Sequence, residues 1–219
     1  MKGVILSVSG EITYQDLLSS KYEGLQKRSF STKLDLFLFD QIIHQQSLTP
    51  SLDQFIAYEL TDILVQQYEK SWQIQEGKIN GIDVNRIDAL MLQWSIDNKE
   101  LNEELKMAYK EHFFKLLPIT TFAITYPEES SMRKCHYCGI SEEEIGLLRS
   151  EGLINTKNAR GRHHEIDRIN SNKEYTEDNI VLACYWCNNA KTDEFTYDEF
   201  QSGIGPAIKQ VWVERIEQL

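Results

Sequence analysis

The stretch that decides the fold runs from "CHYCG" (135–139) to "CYWCN" (184–188), with "RHHEIDRIN" (162–170) between them. All four cysteines of the chain are spent on these two pairs. A CxxC turn aims two thiolates at one point, and two such turns make a closed tetrahedral set suited to Zn²⁺. Cys135, Cys138, Cys184 and Cys187 are therefore the expected ligands of a structural zinc. A closed Cys₄ site keeps no open coordination position, so this zinc should hold the fold and do no chemistry, with binding coupled to folding. The pairs are 45 residues apart (139–183), longer than a minimal zinc ribbon, so a segment is inserted and clamped at both ends.

The insert reads as strand, loop, strand, helix. "RHHEIDRI" alternates enough for a strand, "NSNKEYTEDN" is a turn-rich loop, and "IVLACYW" is a second strand rich in β-branched and aromatic residues. "NNAKTDEF" starts a helix or turn. Ser141 with Glu144 fits a capping box, Gly152 fits a helix stop, and Thr196 with Glu199 suggests a second capping box. A last helix, "PAIKQVWVERIEQL", follows.

Outside this unit the chain has a different character. Residues 1–125 read as a mostly helical domain of unknown role, joined by the polar stretch "TYPEESSMRK" (125–134) to a second domain over 126–219. Helices are expected over 34–46, 51–68, 83–94 and 99–117, with a turn at "GKING" (77–81) and Pro118 ending the fourth. In 51–68, Leu52, Phe55, Ile56, Leu60, Ile63 and Leu64 fall on one face, behind a possible cap at Ser51. These apolar stripes are read as core. No catalytic constellation is visible in this half, and His44 and His112 are read as structural or surface residues.

Composition narrows the classes. The 219 residues are 41% hydrophobic, enough for a core, and no run approaches the ~18 apolar residues of a membrane helix. The start, "MKGVILSVSGEITYQ", is too short and polar for a secretory signal, which points to the cytoplasm, where paired cysteines suggest metal before disulfides. Net charge is −11, divided as −7 over 1–130 and −4 over 131–219, so a general basic coat for nucleic acid is excluded. A local basic patch remains in "KNARGRHHEIDR" (157–168), with four Lys/Arg against two acids. Lys157, Arg160 and Arg162 are candidate phosphate contacts there.

The pattern "EIDRI…YTEDNIVLACYWCNNAK" resembles the HNH endonuclease family, the ββα-metal fold, in the subset with flanking CxxC pairs. The resemblance covers roughly 133–195 and rests on four features. These are the first CxxC, an apolar–Asp–x–Ile strand end, an Asp-Asn before an apolar strand, and CxxCN with Lys191 three residues on. It implies a C-terminal ββα-metal unit with a Cys₄ zinc site; together with the helical reading of 1–125, the chain is expected to be α+β and mostly helical. It also implies that Asp167 and Asn188 hold a catalytic divalent metal and that Asn179 pins the loop between the strands. A carboxylate and an amide oxygen are hard ligands, suited to Mg²⁺ or Mn²⁺. Such a metal can bind the scissile phosphate and stabilise the leaving oxygen.

One position departs from the family. Its general base is usually a histidine directly after the Asp, where this chain has Arg168, and arginine keeps its proton at working pH. Arg168 could instead clamp the phosphate or stabilise transition-state charge. His163 and His164 are the candidate replacements. On a regular strand His163 lies ~13 Å from Asp167, while Glu165 lies ~6.6 Å away on the same face; a bulge would bring His164 round. In a second register His163 is the metal ligand and His164 the base. The Asp167 register is favoured by the strand-end context, and His164 is the expected base in both. Tyr175 is a further possible proton acceptor.

The leading expectation is a metal-dependent endonuclease acting on DNA phosphodiesters, with RNA left open, in restriction, antiphage defence or a mobile element. The alternatives are a zinc-stabilised nucleic-acid-binding module with a decayed nuclease site, and a protein–protein adaptor acting through the helical half. Residues 1–125 are expected to pack on a partner protein or a second copy and not to drive DNA binding.

Overall fold

Helix α1 (Tyr14–Ile43) is the spine around which the rest is arranged. The computed structural model describes residues 13–73, 77–154, 161–192 and 194–219. Lys157 and Arg160 lie outside the described residues. Thr13 opens α1 with a capping box to Asp16, which satisfies two orphan backbone donors of the first turn. The helix begins twenty residues earlier than the apolar run 34–46 suggests. Its first half, "SSKYEGLQKRSFSTK", is too polar to announce a buried helix, yet Leu18, Tyr22, Leu25 and Phe30 are buried at helical spacing.

The expected helix 51–68 is broken. The Ser51 cap and its partner Gln54 open α2 (Leu52–Ala57), but Tyr58 leaves helical geometry and α3 (Asp62–Gln73) starts afresh. Two interactions hold the break. The Tyr58 ring packs edge-on against Phe37 of α1, and buried Lys33 donates to the Ile56 carbonyl at 3.2 Å. Ile63, placed on the core face from sequence, is exposed. The "GKING" turn is a tight hairpin of β1 (Lys78–Ile79) and β2 (Ile82–Asp83), with Asn80 and Gly81 both at positive φ, as an Asn-Gly hairpin turn requires. Next come α4 (Val84–Asp97), α5 (Lys99–Leu116) and, beyond Pro118, the short α6 (Ile119–Thr125).

The C-terminal part contains α7 (Glu142–Ser150), β3 (Glu165–Arg168), β4 (Ile180–Ala183) and α8 (Tyr185–Lys191). It continues with α9 (Tyr197–Glu199), a π turn over Phe200–Ile204, and α10 (Gly205–Ile216). Both expected capping boxes, Ser141–Glu144 and Thr196–Glu199, form, and Gly152 follows α7 at φ 72°. The strands are shorter than their sequence patterns. The second ends at Ala183 because Cys184 caps α8, its Sγ accepting from the Cys187 amide at 3.4 Å. Tyr185 and Trp186 are therefore helical. β3 and β4 pair antiparallel, with Asp167 opposite Val181 and Glu165 opposite Ala183.

The described chain is thus α+β and mostly helical. One apolar cluster joins α1, α2, α5 and α6 to the underside of the β3–β4 sheet through Ile166, Ile180 and Leu182. A second surrounds the cysteines with Ile145, Leu148, Phe200 and Trp212. The largest cluster therefore crosses from the helical half into the ββα unit.

Candidate active site

The four cysteine sulfurs all lie within 4.8 Å of one another, every one buried and none in a disulfide. Cys138 Sγ and Cys184 Sγ are 3.7 Å apart. Tetrahedral thiolates at a Zn–S bond of ~2.3 Å stand about 3.8 Å from each other, so the donor set fits a metal of that kind. The first knuckle is shaped by its backbone. The Cys135 amide donates to the Ile140 carbonyl at 2.9 Å and the Gly139 amide to the Cys135 carbonyl at 2.8 Å, with Gly139 at φ 78°. The His136 amide donates to the Leu182 carbonyl at 2.7 Å, which docks this knuckle on β4.

Strand alternation sends Ile166 into the core and turns Glu165 and Asp167 the other way, into a cleft of about 560 Å³ that Asn188 of α8 also lines. Asp167 Oδ2 accepts from the Tyr137 hydroxyl at 2.6 Å and faces the Lys191 ammonium at 3.1 Å. Lys191 also donates to the Arg168 carbonyl at 2.7 Å, locking α8 onto β3. The Asn188 amide nitrogen donates to Glu165 Oε2. With its nitrogen so held, the amide is oriented by a neighbouring carboxylate, as metal ligands usually are. Burial pushes the Tyr137 phenol above its ordinary range, and the hydrogen bond to Asp167 adds to this. It therefore stays a proton donor to that carboxylate.

Asn179 lies under the loop between the strands. Its Oδ1 accepts from the Asn170 amide at 2.8 Å, and its Nδ2 donates to the carbonyls of Asn170 (3.1 Å) and Glu174 (2.8 Å). Arg168 extends along this loop. It donates to Thr32 Oγ1 at 2.7 Å and to the Lys173 carbonyl at 3.0 Å, and its guanidinium lies over the Tyr175 ring, 4.8 Å from the centroid. Tyr175 is buried but lines the cleft, and its hydroxyl accepts from Arg28 Nε at 2.9 Å.

The histidines are elsewhere. His164 is fully buried, with Nε2 donating to the Ile140 carbonyl at 3.0 Å and Nδ1 3.6 Å from Glu142. His163 Nδ1 lies 2.8 Å from the other Glu142 oxygen. Neither ring lines the cleft shared by Asp167 and Asn188. The physical reason is Glu142. It accepts from Arg133 at 2.8 Å and from the His164 amide at 2.7 Å, and so ties the residues before β3 to the start of α7. Burial alone would raise the Glu142 carboxyl, but hydrogen bonds from His163, His164 and Arg133 outweigh it and hold the group well below the usual range.

Sequence reasoning missed the other wall of the cleft. Ser20, Lys21, Gly24, Leu25 and Arg28 of α1 line it, facing Asp167 and Asn188. Lys21 Nζ donates to the His164 carbonyl at 2.6 Å, and burial pulls its ammonium below the ordinary lysine range against the opposing pull of Glu142 and Glu165. Further along α1, Ser29 Oγ accepts from the Tyr175 amide at 3.2 Å, and buried Lys33 lies 3.8 Å from Glu174. A signal was present: positions 21, 25, 28, 29, 32 and 33 share one helical face, and most carry polar side chains where a core stripe would be apolar.

Residues 135–194 match the family model described as HNH endonuclease. The chain is also similar to a solved structure concerned with DNA perturbation by the rare-cutting HNH restriction endonuclease PacI. The likeness is at 32% identity and a TM-score of 0.37, over 44% of this chain and 65% of that one. The chain thus spans less than two thirds of that relative. No curated protein matches it.

Proposed function

We propose that this chain is a metal-dependent endonuclease that hydrolyses DNA phosphodiester bonds. The observation that carries the reading is the convergence of Asp167, Asn188 and Glu165 on one cleft inside the segment that matches the HNH endonuclease family. Asp167 and Asn188 offer hard oxygens to Mg²⁺ or Mn²⁺, and Glu165 orients the Asn188 amide. The metal, when bound, supplies charge stabilisation to the phosphate and its leaving oxygen. The four cysteines hold a structural Zn²⁺ that fixes β4 and α8, and with them Asn188.

Arg168 stands where the family places its base and cannot act as one. Its guanidinium lies over the Tyr175 ring. The Glu165 carboxylate lines the cleft beside Asp167 and takes the proton from the attacking water, becoming the neutral acid. Arg168 and Arg28, which line the same cleft, favour the negative charge that develops on the phosphate in the transition state. A setting in restriction or antiphage defence is consistent with the likeness to a restriction endonuclease.

The test is Mg²⁺- or Mn²⁺-dependent nicking of plasmid. Asp167→Ala and Asn188→Ala should abolish it with zinc content unchanged. Glu165→Gln should cost roughly 10²–10⁴-fold, the share of a general base. If Glu165→Gln cuts at the wild-type rate, the base assignment is wrong. If the wild-type chain leaves plasmid intact with either metal, the nuclease reading fails.

A further inference from the structure

We propose that α1 forms the second wall of the nuclease cleft. In this arrangement Lys21 and Arg28 bind backbone phosphates of the substrate strand, and Gly24 leaves the gap through which that strand reaches Asp167 and Asn188. The proposal rests on the nuclease reading above and assigns the substrate-binding residues of that site to the helical half of the chain.

Three observations carry it. Lys21, Gly24 and Arg28 recur at i, i+3 and i+7, so one face of α1 presents two cations with a glycine between them, and all three line the cleft. The chain carries a net charge of −11, so a polyanion can be held only where cations are concentrated. Here two of them face the Glu165–Asp167 strand across the cleft. Gly24 is the third observation. A glycine inside a helix is unfavourable relative to alanine and calls for a reason. Packing does not supply one, because an added Cβ would meet only the Arg28 Nη1 atom, at 3.8 Å. The missing side chain therefore serves the open side of the helix, the cleft itself.

α1 is also held at fixed distance from the ββα unit. Arg28 and Ser29 bind Tyr175, Thr32 binds Arg168, Lys33 faces Glu174 and Lys21 binds the His164 carbonyl. A wall anchored at so many points can present its cations without reorganising when the strand arrives.

The experiment uses the full chain. Binding of a fluorescein-labelled mixed-sequence DNA duplex is measured in an Asp167→Ala background, which does not cut, and plasmid nicking is measured in the wild-type background with Mn²⁺. Arg28→Met and Lys21→Met should each weaken binding roughly 3- to 10-fold and reduce the slope of log K against log salt by about one. Arg28→Lys should keep the wild-type slope. The slope separates phosphate binding from any effect of Arg28 on Tyr175, which would change nicking alone. Gly24→Leu should reduce nicking at least about 10-fold while melting at or above the wild-type temperature, because leucine is the better helix former. Where Arg28→Met or Lys21→Met melts lower than wild type, Gly24→Leu carries the decision. Wild-type nicking with unaltered slopes in Arg28→Met and unaltered nicking in Gly24→Leu overturns the wall and leaves the nuclease standing. A wild-type chain that neither binds nor nicks DNA overturns both.

Discussion

Glu142 should be among the most costly residues in the protein to lose, although it touches nothing in the cleft. Its carboxylate is buried and accepts from Arg133, from the His163 ring and from the His164 amide. Glu142→Ala leaves a guanidinium that is 6% exposed without its anionic partner and a buried amide without an acceptor. Breaking a buried ion pair from one side costs about 3–5 kcal/mol. His163 is half exposed and can turn to water, so it adds little. At about 2–4 °C per kcal/mol for a chain of this size, the melting temperature should fall by roughly 6–20 °C. Glu142→Gln keeps an acceptor for the His164 amide and should lose about half as much. The folded carboxyl is held below its unfolded value of about 4.3. Its contribution is therefore complete above that value and is lost as pH falls through the folded one. The gap between wild type and Glu142→Gln, followed by circular dichroism with zinc kept saturating, should close as pH drops below about 4. A Glu142→Ala chain melting within about 3 °C of wild type at pH 7.5 would refute the reasoning.

Other outcomes are as definite. Protein purified without chelator should carry one zinc per chain, and Cys138→Ser should lose it and collapse the cluster around Phe200 and Trp212; metal analysis and near-ultraviolet circular dichroism read both. His164→Ala should cost about 2–4 kcal/mol as a cavity in the core. Nicking well below its melting temperature should then change far less than the ~10²-fold expected of a base. Gly205→Ala places a Cβ 2.9 Å from the Tyr137 carbonyl and 3.2 Å from that of Phe200. Backbone atoms cannot swing aside, so a loss of about 1–3 kcal/mol is expected. Gly203→Ala, where a Cβ meets nothing within 4 Å, is the control that should not lose stability.

What could be read from sequence follows a physical line. The cysteine knuckles, the capping boxes and the turn at 77–81 are local devices whose geometry is set within three or four residues, and each was legible. The strand carrying Asp167 was legible too, because alternation fixes which side chains share a face. His163 and His164 misled because proximity along a strand says nothing of where a partner such as Glu142, 21 and 22 residues away, pulls them. The break at Tyr58 was hidden for a related reason: the residues that enforce it, Phe37 and Lys33, lie on another helix. The α1 wall was missed because its two cations stand two turns apart among ordinary polar residues. Only the fold places that face opposite Asp167.

The position of α1 sets an order on synthesis. The wall it provides is complete once Ile43 is made, whereas the helix bearing Asn188 ends at Lys191. About 150 residues separate the two, roughly 7–30 s of elongation at ordinary rates. Through that interval the growing chain has the residues of this helix face and not the strand that stands opposite it. A chain released early lacks the segment that carries Asp167 and Asn188. On the nuclease reading proposed above, cleavage waits until the late segment has emerged, closed its cysteine site and docked against a helix translated long before.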